Sequence, residues 1–371
     1  MAHAKPHPPH GQHQQVMSIL MNKSLLRFGA LSLASGIAWA ADRAAPQEPA
    51  EISSITRSAE LGGQREDFRI GTKQNRAFVI LPSQRAADGT LPWIWYAPTF
   101  LEGKWRLPDK SHDWLLSQLV SQGFAVCGVD VGDSFGSPAG RAGFTEFYRA
   151  VVKHYKLSTK ACLLPQSRGG LMFYNWAAEH PDWVQCIGGI YPVGDLSSWP
   201  GLAKACATYG MSESELRKHL AEHNPIDRLA PLAQAKIPIL HLHGDADKLV
   251  PLDRNSGELA RRYRALGGQM ELVVIPDRGH EVVPEFFHNQ QLVDFFCLLG
   301  RERTARTSPR RPLHRSDKHG TKSKAAPRTG EHSAVPLKSA RAAATAGSSH
   351  RALLRSSISI AIPAPRYCQH P

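Results

Sequence analysis

The residues with the clearest chemical potential surround Ser167. Residues 161–164 form an apolar run that predicts a short buried strand, and apolar side chains recur at helical spacing within residues 172–177. Ser167 is therefore expected on the turn from a strand to a helix, where its hydroxyl projects above the sheet. The backbone amide of Arg168 lies at the free N-terminal end of that helix and can face an oxygen that becomes negative during acyl transfer.

The sequence around Ser167 resembles the nucleophile elbow of the α/β-hydrolase superfamily, which is usually written G-x-S-x-G. The position two residues before the serine is Pro165 instead of glycine, and proline removes a hydrogen-bond donor at the end of what would be a central strand. An alternative interpretation makes Ser167 the N-cap of an ordinary helix, a position at which serine is also favoured. The motifs downstream decide between the two.

The chain on either side of Ser167 alternates strand and helix patterns. Predicted strands cover residues 68–70, 77–81, 93–97, 124–131, 184–193, 237–243 and 270–275, and predicted helices cover residues 111–123, 141–155, 256–266 and 284–298. This alternation predicts an α/β fold with a mostly parallel central sheet and helices on both faces. Residues 194–235 interrupt it with two or three helical segments, which predicts a small helical cap over the site. The resemblance implies one α/β-hydrolase domain over about residues 65–299.

A serine nucleophile needs a nearby base and a third group that orients the base. In α/β-hydrolases these partners follow later strands, in the chain order serine, acid, histidine. The loop Gly244-Asp-Ala-Asp-Lys-Leu-Val-Pro resembles the acid loop of the family and assigns the acid to Asp247. Asp245 in the same loop and Asp195 are its rivals. The loop before the final helix resembles the one that carries the catalytic histidine and assigns that role to His280.

The resemblance also implies two groups that bind substrate. The second oxyanion donor of the superfamily comes from the loop after an early strand, where this chain has Thr99 and Phe100 without the family's His-Gly-Gly pattern. The cationic side chain of Arg168 could bind a substrate carboxylate through two of its nitrogens. Its alternative is an ion pair with an acidic neighbour such as Asp133 or Asp195.

Two further histidines, His241 and His243, alternate on a predicted strand. Their spacing is similar to that of some metal ligands, but we interpret them as structural. No metal and no cofactor is predicted, since acyl transfer by serine, histidine and aspartate needs neither.

The net charge of the chain is concentrated at its C-terminal end. Residues 301–371 hold 15 of the 45 basic residues and 3 of the 32 acidic residues, so they carry nearly all of the formal charge of +13. Residues 300–371 are rich in Ser, Pro, Ala, Arg and Lys and lack a periodic apolar face, which predicts a basic disordered tail. Such a tail could contact an anionic polymer or a membrane surface, but a solvated tail is favoured and no specific nucleic acid is predicted.

The N-terminal end has the layout of an export signal. A basic stretch that begins at Met21 precedes an apolar stretch ending in Ala-Trp-Ala, with cleavage expected before Ala41. Residues 1–40 are thus interpreted as an N-terminal extension with a signal peptide, and residues 41–64 as a linker. A secreted or periplasmic protein follows, without a transmembrane segment. Export permits disulfides, but the six cysteines suggest no pairing, and residues 127, 162 and 186 are expected in buried strands.

Together these features predict a secreted serine hydrolase, similar to bacterial members of the prolyl oligopeptidase-like and dienelactone hydrolase-like groups. We expect a carboxylic ester hydrolase that acts on small esters or acylated glycans. One alternative is a prolyl oligopeptidase-like peptidase, which is less favoured because nothing in the sequence resembles the β-propeller of those enzymes. Another is an inactive binding protein of the same fold, suggested by Pro165 and by the missing His-Gly-Gly pattern.

Overall fold

One twisted sheet of nine strands organises the molecule, in the order β1-β2-β3-β5-β4-β6-β7-β8-β9. The strands are β1 (Ile52–Glu60), β2 (Gly63–Ile70), β3 (Asn75–Leu81), β4 (Trp93–Ala97), β5 (Ala125–Val129), β6 (Ala161–Pro165), β7 (Val184–Ile190), β8 (Ile239–Gly244) and β9 (Met270–Ile275). Strands β5, β4, β6, β7, β8 and β9 run parallel, whereas β1, β2 and β3 form an antiparallel extension that joins β5. The predicted fold class, a mostly parallel central sheet, is confirmed.

The computed structural model describes residues 50–84, 91–103 and 105–300, which all belong to one unit. The predictions of a signal peptide within residues 1–40 and of a basic tail after residue 300 lie outside these residues. No helix among them is long and apolar enough to cross a membrane.

Ten α-helices connect or flank the strands in the described part of the chain. They are α1 (Asp113–Ser121), α2 (Pro138–Tyr155), α3 (Gly169–Glu179), α4 (Leu202–Tyr209), α5 (Glu213–Lys218), α6 (Leu220–His223), α7 (Ala230–Gln234), α8 (Ser256–Ala265), α9 (Pro284–Phe287) and α10 (Gln290–Leu299). Helices α4 to α7 lie within the segment predicted to form a cap. The predicted final helix over residues 284–298 is two helices, because the side chain of Asn289 caps α10 by accepting the amide hydrogen of Leu292.

The two faces of the sheet bury separate apolar clusters, as the alternation of side chains along each strand requires. Trp93 and Trp95 of β4 point to the face covered by α2, α3 and α8, whereas Ile94 and Tyr96 point to the face covered by α1, α9 and α10. Both faces of the central strands are therefore dry, which explains why these strands are apolar over their full length. Three of the cysteines lie in these strands as predicted, buried and unpaired.

The segment predicted to be a linker, residues 41–64, is partly wrong. Residues 52–60 form β1, and residues 63 and 64 begin β2, so the sheet starts earlier than the sequence suggested. Strand β1 lies at the edge of the sheet and none of its side chains is fully buried. An edge strand with solvent on one side needs few apolar residues, which is why its sequence pattern gave no strand signal.

Candidate active site

The backbone at Ser167 has the conformation of a strained turn between β6 and α3. Its φ angle is +50°, which is rare for a residue with a side chain and costs about 1–3 kcal/mol. Hydrogen bonds hold the turn on both sides: the Ser167 amide donates to the carbonyl of Ile190 at 3.0 Å, and the Val193 amide donates to the carbonyl of Ser167 at 2.8 Å. The turn is thus fixed to the end of β7, and the serine side chain is presented at the carboxyl edge of the sheet.

Gly169 allows this turn to lie against β4. A Cβ atom on Gly169 would lie 2.0 Å from the carbonyl oxygen of Ala97, so any larger residue would push helix and strand apart. Pro165 is tolerated because it occupies the last position of β6, opposite Ala97. The next residue, Gln166, restores the ladder by donating its amide hydrogen to the Ala97 carbonyl at 2.8 Å.

The three residues assigned by sequence motifs lie in one hydrogen-bonded row. The Oγ atom of Ser167 is 2.8 Å from Nε2 of His280, and Nδ1 of His280 is 2.7 Å from Oδ2 of Asp247. The second carboxylate oxygen of Asp247 accepts the amide hydrogens of Leu249 and Val250 at 3.0 and 2.8 Å. The carboxylate is therefore immobilised, and it fixes which nitrogen of His280 faces the serine.

The electrostatics of the row keep Asp247 charged. Burial alone would raise the pKa of Asp247, but hydrogen bonds from His243, from His280 and from the Val250 amide outweigh it and hold the pKa well below its usual value. Asp247 is consequently a carboxylate at neutral pH. It can stabilise the imidazolium that forms when His280 takes the proton of Ser167.

The rival carboxylates have other partners. Asp245 accepts the amide hydrogen of Asp277 at 2.7 Å and joins the acid loop to the histidine loop. Asp195 forms an ion pair with Arg254 at 2.7 Å. Neither is hydrogen-bonded to His280.

Two backbone amides near Ser167 remain available for an oxyanion. Within the described residues, the amides of Arg168 and Thr99 donate to no other group. The amide of Phe100, the alternative to Thr99, is occupied because it donates to the carbonyl of Leu107 at 2.9 Å. Arg168 and Thr99 are thus the better pair of donors.

Comparisons with known proteins show what this chain is similar to. A family model described as the prolyl oligopeptidase family matches residues 143–296. Acylamino-acid-releasing enzyme 2 of Oryza sativa subsp. japonica is 29% identical over 136 residues, which are 34% of this chain and 18% of that protein. An S-formylglutathione hydrolase from Agrobacterium tumefaciens superposes with a TM-score of 0.53 at 13% identity, over 67% of this chain and 99% of the other. The chain has the α/β-hydrolase fold.

The chain spans only part of the length of some of its relatives. It covers 18% of the rice enzyme, and it covers 36% of a structure described as a dipeptidyl aminopeptidase IV from Bacteroides ovatus, to which it is 14% identical with a TM-score of 0.50 over 68% of its own length. At this level of identity the likeness to solved structures shows the fold alone.

The side chain of Arg168 makes the ion pair that was one of its two expected roles. Its Nη1 atom lies 2.5 Å from Oδ2 of Asp133, and its guanidinium lies 4.9 Å from the ring of Trp199 and 5.7 Å from the ring of Phe100. Trp199 belongs to the inserted segment that precedes α4. The insertion thus contacts, together with Phe100, the residue that follows Ser167.

The two histidines of β8 lie in a row of hydrogen-bonded groups that ends beside Asp247. A carbonyl oxygen can only accept, so His243 donates from Nε2 to Val250 at 2.8 Å, and its Nδ1 accepts from the hydroxyl of Ser256 at 2.8 Å. Ser256 then accepts from Nδ1 of His241 at 2.9 Å, and His241 accepts at Nε2 from Tyr174 at 2.6 Å. Burial lowers the pKa of His241 to about 3, so this ring is neutral.

Sequence reasoning missed Tyr191, an aromatic residue that packs against His280. Its ring centroid lies 4.3 Å from that of His280, and its φ angle is +34°. The only available signal was its position near the end of a predicted buried strand, at the edge where the other site residues meet. Among the described residues, no group of three or more potential ligands could hold a metal ion.

Proposed function

We propose that this protein is a carboxylic ester hydrolase in which Ser167 is the nucleophile, His280 the general base and Asp247 the residue that orients it. The observation that carries the proposal is the continuous row of contacts, 2.8 Å from Ser167 to His280 and 2.7 Å from His280 to Asp247. A proton acceptor within hydrogen-bonding distance is what a serine hydroxyl needs to attack a carbonyl carbon at neutral pH.

The reaction follows from the positions of these groups. Ser167 Oγ attacks the ester carbonyl while its proton moves to Nε2 of His280, and the oxygen that becomes negative is held by the amides of Arg168 and Thr99. The intermediate collapses, His280 returns the proton to the departing alkoxide, and an alcohol leaves. Water then attacks the acyl-enzyme in the same way, releasing a carboxylic acid and restoring the serine.

The surroundings of Ser167 favour small substrates. The rings of Trp199 and Phe100 lie against the guanidinium of Arg168, the residue that follows the nucleophile, and bulky side chains so close to the turn favour a short acyl group. Arg168 uses one nitrogen for Asp133 and retains further donors for a substrate carboxylate or carbonyl. We include acylated glycans among the candidate substrates.

The second candidate function is a prolyl oligopeptidase-like peptidase, which is favoured by the family match over residues 143–296. A panel of small esters, acetylated glycans, aminoacyl amides and short peptides separates the two functions. The proposal predicts turnover of esters such as p-nitrophenyl acetate, with at least a 100-fold lower kcat/KM for the matching amides. Preferential cleavage of peptides would favour the peptidase, and no turnover of any substrate would favour the inactive binding protein.

We further propose that the protein is exported, on the basis of the signal-like residues 21–40. N-terminal analysis of the protein recovered from the medium or periplasm of an expressing cell is expected to begin at Ala41. A product that retains residues 1–40 inside the cell would contradict export.

A further inference from the structure

Tyr191 occupies an unusual backbone position beside the base. It follows β7 directly, its φ angle is +34°, and its amide donates to the carbonyl of Leu242 in β8 at 2.7 Å. A positive φ is costly for a tyrosine, and such strain concentrates where a side chain must point in a particular direction. Here the strained residue directs its ring to the underside of His280.

The ring of Tyr191 is held between the base and the helix that follows it. Its centroid lies 4.3 Å from that of His280, with an angle of 50° between the planes, and 5.0 Å from that of Phe286 in an edge-to-face contact. The ring is fully buried. His280, on a loop and partly exposed, thus has a rigid aromatic surface under it in addition to its bond with Asp247.

The hydroxyl of Tyr191 is tied to the nucleophile turn. It accepts a hydrogen bond from Nε2 of Gln166, the residue before Ser167, at 3.3 Å. Burial raises the pKa of Tyr191 well above its usual value, so the phenol remains neutral and takes no proton from His280. The contact can therefore position the base, but it cannot relay a proton.

The orientation of the Gln166 side chain is set by a second buried group of residues. Its Oε1 atom accepts from the hydroxyl of Tyr96 at 2.5 Å and lies 2.7 Å from Nε2 of His112. Because Oε1 can only accept, that nitrogen of His112 carries a proton, and the other nitrogen faces Asp109 at 3.0 Å. With two donors on its oxygen, the amide must direct its NH2 group to Tyr191.

We propose that Tyr191 is a positioning residue for His280 and that Gln166, oriented by Tyr96 and His112, holds Tyr191 in place. The inference rests on the proposed function, in which His280 is the base. Gln166, next to Ser167, contacts Tyr191, and Tyr191 contacts the imidazole of His280. These contacts hold Ser167 and His280 at a fixed distance before a substrate binds.

The test replaces Tyr191 and a matched tyrosine outside the site. Tyr191→Leu is expected to lower kcat about 10- to 100-fold with KM within about twofold, because a small misplacement of the base slows the chemical step more than it weakens binding. Tyr191→Phe keeps the ring but removes the hydroxyl that accepts from Gln166, and it is expected to lower kcat about three- to tenfold, as Gln166→Met does. The control Tyr263→Leu removes an equally buried ring whose hydroxyl bonds only to the carbonyls of Leu232 and Ile237, and it is expected to leave kcat unchanged.

Gln166→Met supplies a second variant that keeps the length of the side chain. It is expected to lower kcat about three- to tenfold, and the double variant Gln166→Met/Tyr191→Leu is expected to be no slower than Tyr191→Leu alone, since both act through one contact. Losses in kcat that multiply in the double variant would overturn the role given to Gln166.

A readout without turnover separates this inference from the proposed function. The downfield proton resonance of the hydrogen bond between His280 and Asp247 should be resolved by NMR in the wild type and in Tyr263→Leu, and broadened or lost in Tyr191→Leu. That result in a protein that cleaves no ester would retain the inference and reject the esterase. An unchanged resonance and an unchanged kcat in Tyr191→Leu would overturn the inference while the esterase stands.

Discussion

The carboxylate of Asp247 lies 3.4 Å from Nε2 of His243, a buried histidine that has no contact with Ser167. His243 is the last member of a row of hydrogen-bonding groups that begins at Tyr174, and its Nε2 atom lies beside Oδ2 of Asp247, the same carboxylate oxygen that contacts His280. Asp247 is thus in contact with a second buried histidine in addition to His280. Substitution of Asp247 should therefore act mainly on the orientation of His280, whereas substitution of His243 should act mainly on the stability of the fold.

Asp247→Asn is expected to lower kcat about 10³- to 10⁴-fold, because an amide in this position favours the wrong tautomer of His280. The protein should remain folded, since an asparagine retains the size of the side chain. The matched variant Asp245→Asn alters the neighbouring turn but not the row of contacts to Ser167, so its kcat should stay within about tenfold of wild type. Steady-state kinetics on one ester compares the two, and a greater loss in Asp245→Asn would contradict the assignment.

His243→Leu is expected to act mainly on stability. It removes one of the two hydrogen-bond partners of the Ser256 hydroxyl, which keeps His241, and removes the donor to the buried carbonyl of Val250, which should lower the free energy of unfolding by about 1–3 kcal/mol. Asp247 keeps its bonds to His280, Leu249 and Val250, so kcat should fall about tenfold at most. Denaturant unfolding and kinetics measure the two effects, and a loss of kcat as large as that of Asp247→Asn would show that His243 does more than support.

The pH dependence of stability should report His241. Its pKa is about 3 in the folded protein, below its ordinary value near 6.5, because burial disfavours the charged ring. Between these values the unfolded chain binds more protons than the folded one, so stability is complete above about pH 6.5 and falls as the pH drops towards 3. His241→Asn should reduce the slope of unfolding free energy against pH by up to about 1.4 kcal/mol per unit in this window. An unchanged slope would contradict a neutral, buried His241, and the exposed His154→Asn serves as control.

Arg168 and Asp133 allow a test of substrate charge. If Arg168 binds a substrate carboxylate, Asp133→Asn removes its competitor and should lower KM for an ester that bears a carboxylate, whereas Arg168→Ala should raise it about tenfold or more. A neutral ester of the same shape should show neither change. Equal effects on both esters would indicate that the pair only shapes the wall of the site.

The central strands of the sheet could be predicted because both of their faces are buried against apolar side chains. Strands β4 and β9 have the predicted bounds, and the others differ by a few residues at their ends, since runs of apolar residues identify buried parallel strands directly. Strand β1 was not predicted, because an edge strand buries few side chains and so needs few apolar residues. The break between α9 and α10 was not predicted, because it depends on the single capping side chain of Asn289.

The site was partly predictable for a similar reason. The motifs around residues 167, 247 and 280 each follow a recognisable strand, so local sequence suggested that they meet at one edge of the sheet. The partner of Arg168 was not predictable between Asp133 and Asp195, because distances along the chain do not report which loop folds over the turn. The contact of Tyr191 with His280 joins segments almost ninety residues apart and has no local signature.

The most direct test of the account is the identification of the residue labelled by a fluorophosphonate probe. Wild-type protein treated with the probe and digested should carry the adduct on Ser167, labelling should disappear in Ser167→Ala, and it should slow strongly in a His280→Ala variant that remains folded. An adduct on another serine, or a Ser167→Ala protein that labels as fast as wild type, would contradict the central claim.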